Sequence, residues 1–159
     1  MSASPISPAA LLVGPANFIA LGAGLGLAKK APGTFGTLLG IPILFLMPQS
    51  NVGYLVVLIA LFGVGVWCCD SCARNLGVHD HPGIVWDEVV GYLLTMFAVP
   101  HTLGWIVAGF IVFRVFDILK PWPISWIDRR VHGGFGIMLD DLLAALGALI
   151  VLQIALRFF

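Results

Sequence analysis

The feature that most constrains this chain is an apolar run over residues 52–69 that contains no charged side chain. Eighteen consecutive residues are near the minimum for a helix that crosses the hydrocarbon core of a membrane. The composition agrees, because 60% of the residues are hydrophobic and only 10% are charged, whereas soluble domains carry about 25% charged residues. The sequence therefore predicts an integral membrane protein.

The remaining apolar segments are mostly too short for a full span. Backbone groups in lipid must be satisfied internally, and no segment alternates as a barrel strand would. We therefore expect an all-α fold, a polytopic membrane helical bundle with short, partly interfacial helices. No repeat or linker divides the chain, so residues 1–159 are predicted to form a single membrane-embedded domain. The N-terminal segment lacks a positive n-region, and no cleaved signal peptide is expected. The other apolar segments are 9–28, 35–48, 89–100, 103–113 and 142–156.

The acidic residues are confined to one stretch of the chain, from Asp70 to Asp141. A bare carboxylate near the bilayer centre costs about 2.5–3.5 kcal/mol on insertion scales. These groups must therefore lie at an interface or neutralise one another around cations. If residues 52–69 cross once, a hairpin that turns at His101 returns the later acids to the starting face. Basic loop residues favour the cytoplasm, and most of them fall on this face.

The connector 121–138 reads as an interfacial segment on that face. Trp122 and Trp126 suit the head-group zone, and Pro121 and Pro123 oppose a continuing helix.

Five acids are candidate metal ligands on this face. Magnesium prefers oxygen ligands and keeps several waters, so one to three carboxylates and a substrate phosphate would suffice. The alternative for the two adjacent pairs is helix-dipole compensation in a first turn. That alternative explains either pair but not the convergence of all five. The candidates are Asp87, Glu88, Asp117, Asp140 and Asp141.

Candidate phosphate-binding groups flank these acids. Arg114, Asp117 and Lys120 are spaced to share one helix face, and this pattern indicates either phosphate-binding cations beside a ligand or a structural ion-pair ladder. Arginine suits bidentate contacts with phosphate. The run His132-Gly133-Gly134 precedes the last acidic pair, and its amides could cradle a phosphate. By itself this glycine-rich signal is weak.

Three further patterns are less convincing. His79-Asp80-His81 could bind metal or move protons, and a solvated turn is at least as plausible. Cys68 and Arg74 have the spacing of cysteine-dependent phosphatases, but the intervening residues lack the glycines of an anion loop. A zinc site built on Cys69, Cys72 and the two histidines lacks a second Cys-x-x-Cys pair.

Several longer motifs, in order and in register, resemble the bacterial phosphatidylglycerophosphatase A family between about residues 18 and 145. No motif acid departs from the pattern. The motifs are Ala31-Pro32-Gly33-Thr34-Phe35-Gly36-Thr37, Val85-Trp86-Asp87-Glu88, Phe113-Arg114-Val115-Phe116-Asp117, Lys120-Pro121-Trp122-Pro123, Asp128-Arg129, His132-Gly133-Gly134-Phe135-Gly136-Ile137-Met138 and Asp140-Asp141.

The resemblance implies a magnesium-dependent enzyme of the bacterial cytoplasmic membrane. It would hydrolyse phosphatidylglycerophosphate to phosphatidylglycerol and phosphate, with its active site on the cytoplasmic face and its lipid substrate in the bilayer. Asp117, Asp87, Glu88 and Asp141 would be the catalytic acids. The alternative function is a small membrane transporter or channel with an acidic cation site, and the absence of a basic stripe excludes a nucleic-acid partner.

Overall fold

A computed structural model of the chain describes residues 6–78 and 81–158. These residues form helices and connecting turns without any strand, so the all-α prediction is confirmed. Short 3-10 helices, Pro8–Val13 and Gly22–Leu27, flank the first α-helix. The α-helices are α1 (Pro15–Ala20), α2 (Pro32–Leu44), α3 (Asn51–Leu76), α4 (Trp86–Thr95), α5 (Leu103–Leu119), α6 (Ile124–Asp128) and α7 (Gly133–Ala155).

Helices α3 and α7 are each long and apolar enough to span a membrane, by length and composition. At 1.5 Å per residue the 26 residues of α3 extend for about 39 Å, more than the ~30 Å hydrocarbon core. The Ser50 hydroxyl caps its first turn by accepting a hydrogen bond from Gly53 N, and Gly77 ends it in the left-handed conformation. The prediction that residues 52–69 form one long apolar helix is confirmed. The sequence also suggested a loop over residues 70–86, and its start is wrong, because Asp70 and Arg74 lie on the last turns of this helix.

Helix α7 begins earlier than the sequence suggested. The predicted last helix started at residue 142, directly after an acidic pair, whereas α7 starts at Gly133. Asp140 and Asp141 therefore lie about two turns inside the helix, and its first turn holds no acid. Helix-dipole compensation acts within the first turn, so it does not account for this pair.

The shorter helices pack between and around the two long ones. Helix α4 lies at the centre, in contact with α2, α3, α5 and α7, and every residue from Val89 to Thr95 is buried. A short helix whose side chains are buried in every direction depends on such packing rather than on its own helix propensity. Together, two long apolar helices and shorter packed ones form the expected helical membrane bundle.

Two ends of the bundle can be distinguished by their contacts. At one end the Tyr54 hydroxyl donates to the Leu93 carbonyl oxygen over 2.6 Å, and the Phe45 ring meets the His101 ring edge-on. At the other end Gly134 N donates to Asp70 Oδ1 over 3.1 Å. We call these the His101 end and the Asp70 end. The acids converge toward the Asp70 end, as the hairpin connectivity predicted.

Candidate active site

Three carboxylates from two helices form the centre of the site. Asp87 and Glu88 begin α4, and Asp141 reaches them from α7. One oxygen from each residue lies within 4.8 Å of the corresponding oxygens of the other two. Asp87 and Asp141 are buried, at 8% and 3% exposure. We call these three residues the acidic triad.

The triad lies below the Asp70 end rather than at its surface. Gly134 N bonds Asp70, which sets the start of α7 level with that residue. Asp141 follows seven residues later along the helix, a rise of about 10 Å. The carboxylates therefore sit in a recess, where water is scarce and an uncompensated negative charge is costly.

Helix α5 brings one cation and one further acid to the triad. Arg114 Nη1 lies 2.6 Å from Asp117 Oδ2 and 3.6 Å from Glu88 Oε1. Both side chains of the closer pair are nearly buried, at 14% and 11% exposure. Asp141 also interacts electrostatically with Asp117 and with Asp140. The five acids predicted as ligands thus belong to one electrostatic group, and three of them form the triad.

Lys120 takes a different position from the one its spacing suggested. Helix α5 ends at Leu119, and Lys120 adopts the left-handed conformation before Pro121, since a residue that precedes proline is disfavoured in a right-handed helix. Arg114 and Asp117 do pair on one helix face, but Lys120 does not continue that face. Instead the Lys120 ammonium bridges Asp128 and Asp140.

The bridge holds Lys120 in its charged form. Burial opposes that form, but the attraction of Asp140 and the hydrogen bonds to Asp140 and Asp128 outweigh it and raise the Lys120 pKa above its usual value. Asp128 was noted in the sequence only as part of a motif. Its distance of 3.0 Å from Lys120 Nζ shows that it orients the cation beside Asp140.

The glycine-rich run packs against helix α3. Gly134 N is bonded to Asp70, and a Cβ at Gly134 would collide with the Val66 carbonyl oxygen and the Asp70 side chain. Gly133 has a positive φ of 76°. His132 is exposed, and its Nδ1 lies 3.1 Å from the Arg130 carbonyl oxygen. The contacts of Gly134 therefore serve helix packing at the Asp70 end.

A part of the site that sequence reasoning left without a role is the first turn of α2. A Cβ at Gly33 would collide with Glu88 Oε1 and would come within 3.1 Å of Arg114 Nη1. The Thr37 hydroxyl donates to the Gly33 carbonyl oxygen over 3.0 Å and is fully buried. Only glycine permits this approach, and the Ala-Pro-Gly-Thr motif was the available signal.

The donor set fits a hard divalent cation. The five acids exceed Arg114 and Lys120 by three formal charges, in a recess where unpaired charge is unfavourable. Buried oxygens of Glu88 and Asp141, Oε2 and Oδ2, have no hydrogen-bond partner within the described residues. Carboxylate oxygens without nitrogen or sulfur donors suit magnesium, calcium or manganese. Asp87, Glu88 and Asp141 are the residues placed to hold such an ion.

The less convincing patterns remain outside the triad. Cys68, Cys69 and Cys72 are free and fully buried, and Arg74 pairs with Asp70 instead of approaching a thiol. The His81 imidazole accepts a hydrogen bond from Gly83 N over 3.0 Å, as a turn residue does. His79 and Asp80 lie outside the described residues.

Comparison with known proteins bears on what this site does. A sequence profile of the phosphatidylglycerophosphatase A family matches residues 18–156. The chain is 46% identical to phosphatidylglycerophosphatase A of Escherichia coli K12, over 82% of this chain and 77% of the relative. It is 45% identical to the Haemophilus influenzae protein of the same name, over 88% of each.

A third relative carries a different name. It comes from Bacteroides thetaiotaomicron, is provisionally named a phosphatidylinositol-3-phosphatase, and is 34% identical over 86% of this chain and 91% of its own length. No solved structure matches the chain. The profile match covers nearly all of the described helices, including every residue of the triad. The chain therefore belongs to the phosphatidylglycerophosphatase A family.

Proposed function

We propose that this protein is a magnesium-dependent lipid phosphatase that hydrolyses phosphatidylglycerophosphate to phosphatidylglycerol and phosphate. The observation that carries the proposal is the acidic triad, with Arg114 beside it, in a chain that matches the family along most of its length. Two relatives named phosphatidylglycerophosphatase A support the choice of substrate.

The reaction adds water across a phosphomonoester. The P–O bond to the glycerol oxygen breaks, that oxygen leaves with a proton, and inorganic phosphate is released. A bound magnesium ion would supply Lewis-acid polarisation of the phosphoryl oxygens. Asp87, Glu88 and Asp141 would hold the ion, because they bring three carboxylates together. The phosphomonoester would bring negative charge to a site that already has an acidic excess, so a cation is needed for binding as well as for chemistry.

The residues on α5 act on the phosphoryl group itself. Arg114 is planar and permanently charged, so it can bind two phosphoryl oxygens and stabilise the charge that develops on them. Asp117 Oδ2 lies 2.6 Å from Arg114 Nη1 and holds the edge of the guanidinium, and its carboxylate would accept a proton from the attacking water. Lys120, bridged to Asp140 and Asp128, orients Asp140 at the rim of the site and adds positive potential there.

The proposed location is the bacterial cytoplasmic membrane, with the site on the cytoplasmic face. Basic residues near the Asp70 end favour the cytoplasm, and they include Arg74, Arg129 and Arg130. Trp122 and Trp126 are 81% and 46% exposed, as residues of the head-group zone are. The acyl chains could remain in the bilayer while the head group enters the recess.

Phosphate release from defined lipids tests the proposal. Purified protein in detergent should release phosphate from phosphatidylglycerophosphate with magnesium and lose that activity in excess chelator. Phosphatidylinositol 3-phosphate serves as the comparison substrate because the Bacteroides relative carries that name. Full activity in chelator would remove the metal from the mechanism, and preference for the inositol lipid would reassign the substrate.

A further inference from the structure

The first turn of α4 carries two of the three triad carboxylates, and its own helix holds it only weakly. Within the described residues no side chain caps the helix at Val85, and the hydrogen bond from Val89 N to the Val85 carbonyl oxygen is long, at 3.4 Å. Asp87 and Glu88 also lie close to Asp141, and carboxylates that approach one another repel when no cation lies between them. Contacts with other helices must therefore keep this turn in place.

The backbone immediately before the turn is fixed from two sides. Val85 N donates to the Ala20 carbonyl oxygen at the end of α1 over 2.8 Å, and the Val85 side chain is fully buried. On the α2 side, a Cβ at Gly36 would come within 2.7 Å of the Val85 carbonyl oxygen, so α2 lies directly against the chain there. Helices α1 and α2 therefore hold residue 85, and the contact with α3 is made by the residue that follows it.

That residue, Trp86, ties the turn to the long helix α3. Its indole Nε1 donates to the Leu61 carbonyl oxygen over 3.2 Å. A carbonyl oxygen has two lone pairs, so Leu61 can accept this bond in addition to the one within its own helix. The ring lies where α3 has no side chain, because a Cβ at Gly65 would come within 3.0 Å of Trp86 Cδ1. A hydrogen bond and a close ring contact therefore fix one side chain of the turn against α3.

We propose that Trp86 is a positioning residue, whose indole hydrogen bond to α3 holds Asp87 and Glu88 in the arrangement that binds the metal ion. This inference rests on the proposed magnesium-dependent function and adds the group that orients two of the ligands. Trp86 directly precedes both acids in the chain, so a rotation of the turn about the helix axis moves all three side chains together. Groups that orient metal ligands typically contribute about 10–100-fold to metal affinity.

Removal of the indole donor tests this role. Trp86→Phe keeps an aromatic ring and deletes the N–H group. The dissociation constant for Mn²⁺, measured from the electron paramagnetic resonance signal of the free ion, should therefore rise about tenfold. The turnover rate at saturating magnesium should stay within about threefold of wild type, because the same ligands are present once the ion is bound.

Tyr92→Phe is the matched control for this change. It also deletes one hydrogen bond from an α4 side chain to a backbone carbonyl, since the Tyr92 hydroxyl donates to the Ile106 carbonyl oxygen over 3.1 Å. Its melting temperature should fall while its Mn²⁺ affinity stays at the wild-type value. An unchanged affinity in Trp86→Phe, or an equal loss in both variants, would overturn the inference. Failure of the proposed function would look different, because the wild-type protein would then bind no Mn²⁺ and need no metal for activity.

A measurement on the wild-type protein covers the case in which Trp86→Phe does not fold. Coupling between two sites is reciprocal, so a hydrogen bond that strengthens ion binding is itself strengthened by the ion. Saturating Mg²⁺ should therefore slow deuterium exchange of the Trp86 indole N–H, followed by nuclear magnetic resonance, and leave that of Trp105 on α5 unchanged. Equal slowing at both residues, or no slowing at Trp86, would refute the inference.

Discussion

The two ends of the bundle are both polar, but only one concentrates acidic charge. The His101 end holds a cavity of about 240 Å³ whose lining has no acidic side chain. The Asp70 end holds the triad, Arg114 and the Lys120 bridge. Uncharged polar side chains and one imidazole are therefore sufficient at an end of the bundle that faces the head-group region of a membrane. The buried charge at the other end is not explained by membrane insertion, which it opposes. The cavity lining comprises Pro48, Gln49, Asn51, Tyr54, Ala98, Val99, Pro100 and His101.

The region between the ends argues against the transporter alternative. A transport path would need polar groups near the midplane and often repeated halves. Helix α4 instead fills the centre with buried side chains, and Val89, Val90 and Leu93 are at most 1% exposed. The acids lie on one side of this apolar layer. The asymmetry suits an enzyme that works from one face.

The largest expected effect concerns the sidedness of the two ends. Arg130→Cys should react with a membrane-impermeant maleimide only from the cytoplasmic side, and His101→Cys only from the opposite side, since α5 leads from one end of the bundle to the other. The native thiols are fully buried and should give little background. Labelling of both positions from the same side would show that the His101 end and the Asp70 end do not lie on opposite sides of the membrane.

The second prediction separates metal-holding acids from acids that only complement a helix. Asp141→Asn keeps the shape and removes one charged ligand. Activity should fall at least about a hundredfold, equivalent to roughly 2.7 kcal/mol of barrier, because the ion and the phosphoryl group lose a partner. Phosphate release at saturating magnesium provides the measurement. Asp87→Asn and Asp117→Asn should show losses of the same order.

Asp70→Asn is the matched control for that series. It makes the same chemical change at the same end of the molecule, but Asp70 contacts Arg74 and Gly134 rather than the triad. Its activity should stay close to wild type. A melting temperature that falls in Asp141→Asn while turnover is retained would leave that carboxylate a purely structural role.

The same comparison shows what the sequence could predict and what it could not. Charge placement and hairpin connectivity predicted that the five candidate acids would share one end, because helix length and turn position set which ends are neighbours. They did not predict which three of the five, Asp87, Glu88 and Asp141, would meet. The backbone conformation of residues at the ends of helices could not be predicted from the sequence. The left-handed conformation of Lys120 moves its ammonium to Asp128 and Asp140, and periodicity alone assumes that the helix continues.

Tertiary packing explains the remaining differences. The early start of α7 depends on Gly134 fitting against α3, a contact between residues that are more than sixty positions apart. The role of Gly33 depends in the same way on α2 and α4 being neighbours. Local sequence patterns carry no information about such pairings, so the glycines could be recognised as motifs but not assigned.

The third prediction tests the close approach of α2 to the site. Gly33→Ala places a methyl group on the Glu88 carboxylate, so Glu88 or the helix must move. Overpacking of this kind costs about 1–3 kcal/mol, and we expect activity to fall roughly tenfold, or about 1.4 kcal/mol of barrier. Steady-state rates and thermal unfolding provide the two measurements.

Gly63→Ala is the control for this change. A Cβ at Gly63 meets nothing within 4 Å, and alanine is favoured over glycine inside a helix by up to about 1 kcal/mol. Its stability should rise or stay constant, with full activity. If Gly33→Ala behaved in the same way, the first turn of α2 would have no part in positioning Glu88.

The smallest effect is expected for the three cysteines, which lie at the charged end without joining its chemistry. The Cys69 thiol lies 3.9 Å from the Met138 sulfur, and its complete burial leaves it packed against neighbouring side chains. Replacing Cys68, Cys69 and Cys72 together by alanine removes buried volume, so the melting temperature should fall by several degrees. Phosphate release should remain within about threefold of wild type, under 1 kcal/mol of barrier, because the described residues bring no acid, base or metal-ligand set to these thiols. A loss of activity of about a thousandfold or more, in a variant that circular dichroism shows to be folded, would contradict the view that the thiols only pack while the carboxylates take part in the reaction. It would instead bring the cysteines into the mechanism beside the triad.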